Sequence, residues 1–156
     1  MDIPALLDLY RRRGWMIATA ESCTGGLIAA TLTEIAGSSD VLDRGFVTYS
    51  NDAKSDLLDV PAALIATHGA VSAEVAAAMA LGAIKRSRAA VAIAVTGIAG
   101  PGGGSPEKPV GLVYMALAKR DQTTPIIERH VFDGRRHEVR LQTVVRAIDL
   151  LTDAAK

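Results

Sequence analysis

The stretch AAVAIAVT, residues 89–96, is wholly apolar up to the closing Thr96. A short apolar run of this kind is typical of a strand that helices cover on both faces of a sheet. Helical patterns lie on either side of it in the chain. One of them, Ala73–Lys85, is rich in alanine and suits close packing against a sheet. This alternation predicts an α/β fold, a three-layer α/β/α sandwich with a central, mostly buried mixed sheet.

The remaining elements follow from periodicity, caps and turn residues. We expect helices at 3–13, 27–36, 54–58, 61–68 and 135–154, and strands at 15–20, 44–50, 110–119 and 125–132, the last two as a hairpin around Asp121 and Gln122. The final helix should bury one apolar face, formed by Leu141, Val144, Val145, Ile148 and Leu151. No repeat or linker interrupts the pattern, so we expect one domain over residues 1–156.

Composition excludes several classes of function. Basic and acidic side chains balance at 17 each, which gives no support for a nucleic-acid or membrane partner. A single cysteine, Cys23, excludes an internal disulfide, and the three histidines show no metal-ligand spacing. The longest wholly apolar run is far shorter than the roughly 20 residues of a membrane-spanning helix. We therefore expect a cytoplasmic domain without metal or cofactor, with homo-oligomerisation left open.

Two glycine-bearing loops follow predicted strands. The first, ATAESCTGG at residues 18–26, offers Glu21, Ser22 and Thr24 and ends in Gly25 and Gly26. A helix start of this kind suits anionic or carbonyl oxygens, although the same residues also make an ordinary capped turn. The second, GIAGPGGGSPEKP at 97–109, follows Thr96 and includes Gly97 and Gly100. Neither spacing matches an ATP or NAD loop, so the two loops predict a pocket for another small molecule.

A third segment, GSSDVLDRGFVTYSNDAK at residues 37–54, combines a hydroxyl, a phenol and an amine. A serine becomes a nucleophile when a base removes its proton, and a lysine with a lowered pKa can be that base. Taken one by one, Ser39, Tyr49 and Lys54 are better explained as a cap, a strand residue and a solvated helix residue. Together they favour acyl-transfer chemistry.

Arg135, Arg136 and His137 fall in the first turn of the last predicted helix, where the helix dipole disfavours cations. A bound phosphate would explain this placement, and a solvated surface cluster is the equal alternative.

The chain resembles the C-terminal domain of the competence-damage-inducible protein in four segments. They are AESCTGG (20–26), the GSS-to-AK segment (37–54), TGIAGPGGGSPEKPVG (96–111) and GRR (134–136). That domain also occurs alone as nicotinamide-nucleotide amidase, and the resemblance covers residues 18–140. It implies hydrolysis of the carboxamide of nicotinamide mononucleotide to nicotinic acid mononucleotide and ammonia. It also implies Ser39 as the nucleophile, with Tyr49 and Lys54 as activating groups.

For the substrate, the resemblance implies contacts around both loops and at the last helix. Ser22 and the backbone amides near Gly25 and Gly26 would bind the oxyanion. The ribose and phosphate would be bound by Thr96, the Gly97–Gly102 loop and Arg136. Two alternatives remain open at this point. One is a non-catalytic ligand-binding or protein-interaction module, and the other is a thiol amidase that uses Cys23.

Overall fold

The apolar stretch at 89–96 supplies strand β3 (Val91–Gly97), the centre of a five-stranded sheet in the computed structural model, which describes residues 1–156. The other strands are β1 (Ile17–Glu21), β2 (Leu42–Val47), β4 (Leu112–Lys119) and β5 (Ile126–Val131). The helices are α1 (Ile3–Arg13), α2 (Leu27–Thr33), α3 (Asn51–Leu58), α4 (Ala62–His68), α5 (Ala73–Lys85) and α6 (Arg136–Ala154), and a short 3₁₀ turn covers Ser38–Asp40.

The strand order is β2-β1-β3-β4-β5. Strands β2, β1 and β3 run parallel, whereas β4 and β5 are antiparallel additions that form the predicted hairpin. The carboxyl ends of the three parallel strands therefore meet at one edge of the sheet, which we call the carboxyl edge. Their amino ends meet at the opposite, amino edge.

Helices cover both faces of the sheet, as the sequence predicts. One apolar core joins α1, α2 and α6 to one face through side chains such as Leu6, Ile28 and Ile148. The second core joins α3, α4 and α5 to the other face. There the strands contribute mainly alanines, among them Ala92 and Ala94, which allows the alanine-rich α5 to approach the sheet closely.

Element boundaries differ from prediction by a few residues. Strand β2 begins at Leu42 rather than Arg44, because Leu42 already pairs with Ile17 across a bulge in the β1–β2 ladder. Helix α3 begins at Asn51 because the Ser50 hydroxyl accepts a hydrogen bond from the Ala53 N–H and caps it. Along α6, Leu141 and Val145 are 44% and 42% exposed, so the prediction that both lie in the core is wrong.

Helices α3 and α5 pack closely at Gly82. A Cβ added there would collide with the carbonyl group of Leu58, at the end of α3. We expect Gly82→Ala to lower the free energy of unfolding by about 1–3 kcal/mol, because α3 must shift outward. Chemical denaturation measures this. Gly102→Ala, where an added Cβ meets nothing within 4 Å, is the control. Equal stability of the two variants would contradict the close packing.

Candidate active site

Lys54 lies on α3, and its amine lies at the carboxyl edge of the sheet. The side chain is only 1% exposed. Its Nζ lies 3.1 Å from Ser22 Oγ, 2.8 Å from the Thr48 carbonyl oxygen and 3.5 Å from the Ser50 carbonyl oxygen. Ser22 directly follows β1, so the end of one parallel strand supplies the hydroxyl while the chain after its neighbour, β2, supplies the amine.

Burial favours the neutral form of this amine. Desolvation lowers the pKa of Lys54 from its ordinary value of 10.5, and the nearby Cys23 acts in the opposite direction. A neutral amine has two N–H donors and one lone pair. Nζ donates to Ser22 Oγ and to the carbonyl oxygens of Thr48 and Ser50. In the neutral form the two carbonyl oxygens can take both donors, and the lone pair can then accept the proton of the Ser22 hydroxyl. This arrangement makes Ser22 a candidate nucleophile and Lys54 its base.

A cleft of about 210 Å³ opens above this pair. It is lined by Ser22, Cys23, Tyr49, Asn51, Lys54, Ala70, Val71, Thr96, Gly97, Ala99 and Arg136. The predicted pocket at the ends of the strands is therefore present. Six of the predicted site residues line it: Ser22, Tyr49, Lys54, Thr96, Gly97 and Arg136.

Ser39 does not belong to this cleft, so the predicted meeting of Ser39 with Lys54 is wrong. Ser39 lies exposed in the 3₁₀ turn that precedes β2, at the amino edge of the sheet. Its neighbour Asp40 is bound there by Arg11 of α1. Lys54 follows β2 and lies at the carboxyl edge. A strand of six residues, at about 3.3 Å per residue, separates the two edges by about 20 Å.

Glu21 is a structural residue rather than a substrate contact. It has no solvent exposure and its carboxylate caps the start of α2. The carboxylate oxygens accept hydrogen bonds from the N–H groups of Ile28 and Ala29 at 2.8 and 3.0 Å, and from the Thr24 hydroxyl at 2.7 Å. Thr24 is likewise fully buried, so its predicted substrate contact is also corrected. Glu21 and Thr24 instead hold the turn that carries Ser22.

The glycine pair shapes the same turn without lining the cleft. Gly25 and Gly26 both have positive φ angles, which side-chain-bearing residues rarely adopt. The Gly25 N–H donates to the Ser22 carbonyl oxygen, so it is not free to bind an oxyanion. The backbone N–H groups of Cys23, Thr24 and Gly26, in contrast, have no acceptor in the protein. Of the three residues only Cys23 lines the cleft, so its N–H group is the candidate oxyanion donor in place of the predicted glycine amides.

Tyr49 and Arg136 form the rim of the cleft. Tyr49 is 61% exposed, and its hydroxyl accepts a 2.9 Å hydrogen bond from Arg136 Nη2. Arg136 Nη1 donates to the Gly100 carbonyl oxygen at 2.9 Å. Gly100 therefore positions Arg136 and does not itself line the Ser22 cleft. The guanidinium remains exposed at the mouth of the cleft, where it can meet an anionic group.

Thr96 and Gly97 end strand β3 at the wall of the cleft, as predicted. The Thr96 hydroxyl donates to the Ala70 carbonyl oxygen at 2.8 Å, which joins this wall to the segment before α5. Sequence reasoning missed the lining residues Asn51, Ala70 and Val71, whereas Ala99 belongs to the predicted Gly97–Gly102 loop. Only Asn51 carried a signal, since it stands one turn before Lys54 and therefore on the same face of α3.

The thiol of Cys23 is poorly suited to attack. It is 6% exposed, and burial, the largest cause, raises its pKa to about 11. No group of three or more His, Cys, Asp or Glu residues is arranged to hold a metal ion. None of the helices combines the length and the apolar character needed to cross a membrane.

Comparison with known proteins places the chain in a family. Residues 4–155 match the CinA C-terminal domain. The chain belongs to the CinA C-terminal domain family. A CinA-like protein of Citrifermentans bemidjiense is 57% identical over 143 residues, which are 92% of this chain and 34% of that protein. One of Mycolicibacterium gilvum is 55% identical over 90% of this chain. The chain thus spans about a third of the length of these curated relatives.

Solved structures of CinA proteins share the fold. The competence/damage inducible protein of Agrobacterium tumefaciens has a TM-score of 0.86 and 52% identity, covering 97% of this chain and 96% of its own. A CinA superfamily protein of Klebsiella pneumoniae has a TM-score of 0.92 and 37% identity, covering 98% and 94%. The mixed five-stranded sheet with six helices is therefore the CinA fold, whereas these proteins' names state no substrate.

The lowered pKa of Lys54 has a consequence for stability. Between that lowered value and 10.5, the unfolded chain binds a proton that the folded chain does not, so folding gains stability as pH rises. We expect the free energy of unfolding of the wild type, relative to Lys54→Met, to increase from pH 7 toward pH 10.5. Denaturant titrations across this range measure it.

Lys85→Met is the control for that experiment, because the Lys85 side chain is 74% exposed. The difference in free energy of unfolding between the wild type and Lys54→Met should rise with pH. A difference that stays constant or falls as pH rises would contradict a neutral buried amine.

Proposed function

We propose that this domain is a serine amidase that hydrolyses the carboxamide of nicotinamide mononucleotide to nicotinic acid mononucleotide and ammonia. The observation that carries the proposal is the 3.1 Å contact between Lys54 Nζ and Ser22 Oγ on the buried floor of the cleft. The mononucleotide as substrate rests on the resemblance of the loop motifs. The reaction class rests on the paired hydroxyl and amine.

In the acylation half-reaction, Ser22 Oγ attacks the carboxamide carbon while Lys54 Nζ takes the hydroxyl proton. The former carbonyl oxygen gains the negative charge, and the free N–H group of Cys23, which lines the cleft, can stabilise it. When the C–N bond breaks, the Lys54 ammonium returns the proton to the departing nitrogen. Ammonia leaves, and an ester links the nicotinoyl group to Ser22.

Hydrolysis of that ester uses the same groups in reverse roles. Lys54 Nζ takes a proton from water as the water oxygen attacks the ester carbon. The bond to Ser22 Oγ then breaks, and the Lys54 ammonium returns the proton to the serine oxygen. One water is consumed for each ammonia released, and both side chains recover their starting states.

The cleft suits a planar ring with one carboxamide better than a whole nucleotide. Its volume of about 210 Å³ is below the roughly 300–1,000 Å³ typical of drug-sized ligands, so a nucleotide would extend across the rim. Arg136 stands at that rim, bonded to Tyr49 and Gly100. A guanidinium fixed in this way is a suitable partner for the phosphate of the substrate. Tyr49 would then position Arg136 and close one side of the cleft.

A pair of serine variants tests the nucleophile. We expect Ser22→Ala to reduce ammonia release from nicotinamide mononucleotide by about 10³-fold or more, because the attacking oxygen is removed. We expect Ser39→Ala, altered at the amino edge, to keep near-normal activity. A coupled ammonia assay measures both. Loss of activity in Ser39→Ala with retention in Ser22→Ala would overturn the assignment, and wild-type binding without turnover would favour the non-catalytic alternative.

Arg136 is tested by comparing phosphorylated and unphosphorylated substrates. We expect Arg136→Ala to raise KM for nicotinamide mononucleotide by about 10–100-fold, the value of one lost charge-assisted contact. KM for nicotinamide riboside should change little, because the riboside has no phosphate. Arg135→Ala, at a side chain that is 93% exposed, is the control. Equal losses on both substrates would argue against a phosphate contact.

A further inference from the structure

Arg140 lies one turn after Arg136 on α6, and its guanidinium is hydrogen-bonded to the backbone that follows Ser22. Its Nε donates to the Cys23 carbonyl oxygen at 3.1 Å, and its Nη2 donates to the Thr24 carbonyl oxygen at 3.0 Å. A guanidinium is planar and holds its donors in a rigid fork. Two bonds to successive carbonyls therefore fix the orientation of both peptide groups as well as their position.

The orientation of these peptides determines where their N–H groups point. The peptide bond between Cys23 and Thr24 is trans, and in a trans peptide the C=O and N–H groups point in opposite directions. Since the Cys23 carbonyl faces Arg140, the Thr24 N–H faces away from it. That N–H has no acceptor in the protein although Thr24 is fully buried. An unpaired buried backbone donor of this kind is rare.

The charge of Arg140 also acts on this turn. A cation bound to a carbonyl oxygen draws electron density along the peptide and makes the N–H at its other end a stronger donor. The positive field reaches residue 23 as well. Burial raises the pKa of the Cys23 thiol, and the Arg140 charge is among the groups that oppose the rise. A positive charge therefore lies next to the carbonyl oxygens of the turn after Ser22.

From this geometry we infer that Arg140 is a positioning residue for the reaction. It holds the Ser22–Thr24 turn so that the Ser22 hydroxyl stays within reach of Lys54 and the free N–H group of Cys23 stays at the wall of the cleft, available to the developing oxyanion. The inference rests on the proposed serine amidase function. It assigns different roles to the two arginines in the first turns of α6. Arg136 contributes to substrate binding, and Arg140 contributes to the chemical step.

The alternative role for Arg140 is a simple tie between α6 and the turn before α2. Such a tie would contribute stability only, and its loss would lower activity only as far as the folded fraction falls. Arg146 provides a matched control for this role. It also lies half-buried on α6 and also makes a forked pair of bonds, at 2.8 and 2.6 Å, but its partner is Glu128 of β5, away from the cleft.

The experiment compares Arg140→Ala, Arg140→Lys and Arg146→Ala in kcat, KM and melting temperature with nicotinamide mononucleotide. We expect Arg140→Ala to lose about 10–100-fold in kcat, as for a small misplacement of reacting groups, with KM changed by about twofold or less. Arg140→Lys should regain part of the loss, and added methylguanidine should partly restore Arg140→Ala. Arg146→Ala should keep wild-type kcat even where its melting temperature falls.

A second readout does not depend on the identity of the substrate. A fluorophosphonate forms a phosphonyl ester with an activated serine and releases fluoride, so its labelling rate at Ser22 reports on the same geometry. If the wild type is labelled at Ser22 but releases no ammonia from the mononucleotide, the proposed substrate is wrong. The labelling rate then tests Arg140, and a drop of about 10-fold or more in Arg140→Ala supports the inference.

Three outcomes would overturn the inference. Wild-type turnover and labelling rates in Arg140→Ala would do so while leaving the proposed function intact. Equal kcat losses in Arg140→Ala and Arg146→Ala at equal melting temperatures would reduce Arg140 to a structural tie. Failure of the wild type to be labelled at Ser22 and to release ammonia would overturn the nucleophile and the role of Arg140 together.

Discussion

The contact between Lys54 Nζ and Ser22 Oγ depends on keeping an amine out of water. Burying a charged ammonium is costly unless it is paired, and no carboxylate is bonded to Lys54. The fold instead supplies backbone carbonyls from the chain around the start of α3 and one serine hydroxyl. Three oxygens can also accept from an ammonium, so it is desolvation, which lowers the pKa of Lys54, that favours the neutral form and frees a lone pair for the Ser22 hydroxyl. The chemistry of the site therefore follows from burial, and the helix that carries Lys54 packs closely against α5 at Gly82.

Topology explains why Ser22 and Lys54 meet. Parallel strands place the residues that follow them at one edge of the sheet, which is where ligands collect in open α/β folds. Ser22 follows β1, Thr96 and Gly97 end β3, and Lys54 lies in the helix after β2. The first turns of α6 reach the same edge from the other face and add Arg136 and Arg140. The cleft is thus assembled from segments that are far apart in the chain.

Much of the fold was readable from the sequence because burial leaves clear periodic patterns. The apolar β3 stretch and the alanine-rich α5 predicted the three layers, and the hairpin followed from its turn. The pocket formed by the two loops that follow strands β1 and β3 was also predicted. The exposed Leu141 and Val145 were not, because one sequence does not show which half of a broad apolar face meets the sheet.

The error at Ser39 has a physical origin. Ser39 and Lys54 are close in sequence, but β2 runs between them and carries the chain from one edge of the sheet to the other. Proximity in sequence therefore does not bring these two side chains together, because the whole length of the strand separates them. Glu21 shows a second limit. Whether a carboxylate contacts a ligand or caps a helix depends on donors that only the folded turn brings near it.

The central claim is that Lys54 is a neutral amine within reach of the Ser22 hydroxyl, and NMR of protein labelled at the lysine Cε position tests it directly. The five lysines of the chain are titrated together, and the Lys54 resonance is identified by its absence in Lys54→Met. The account predicts that the pKa of Lys54 read from its resonance lies clearly below the ordinary lysine value of 10.5. A Lys54 resonance that titrates at or above that value would contradict it.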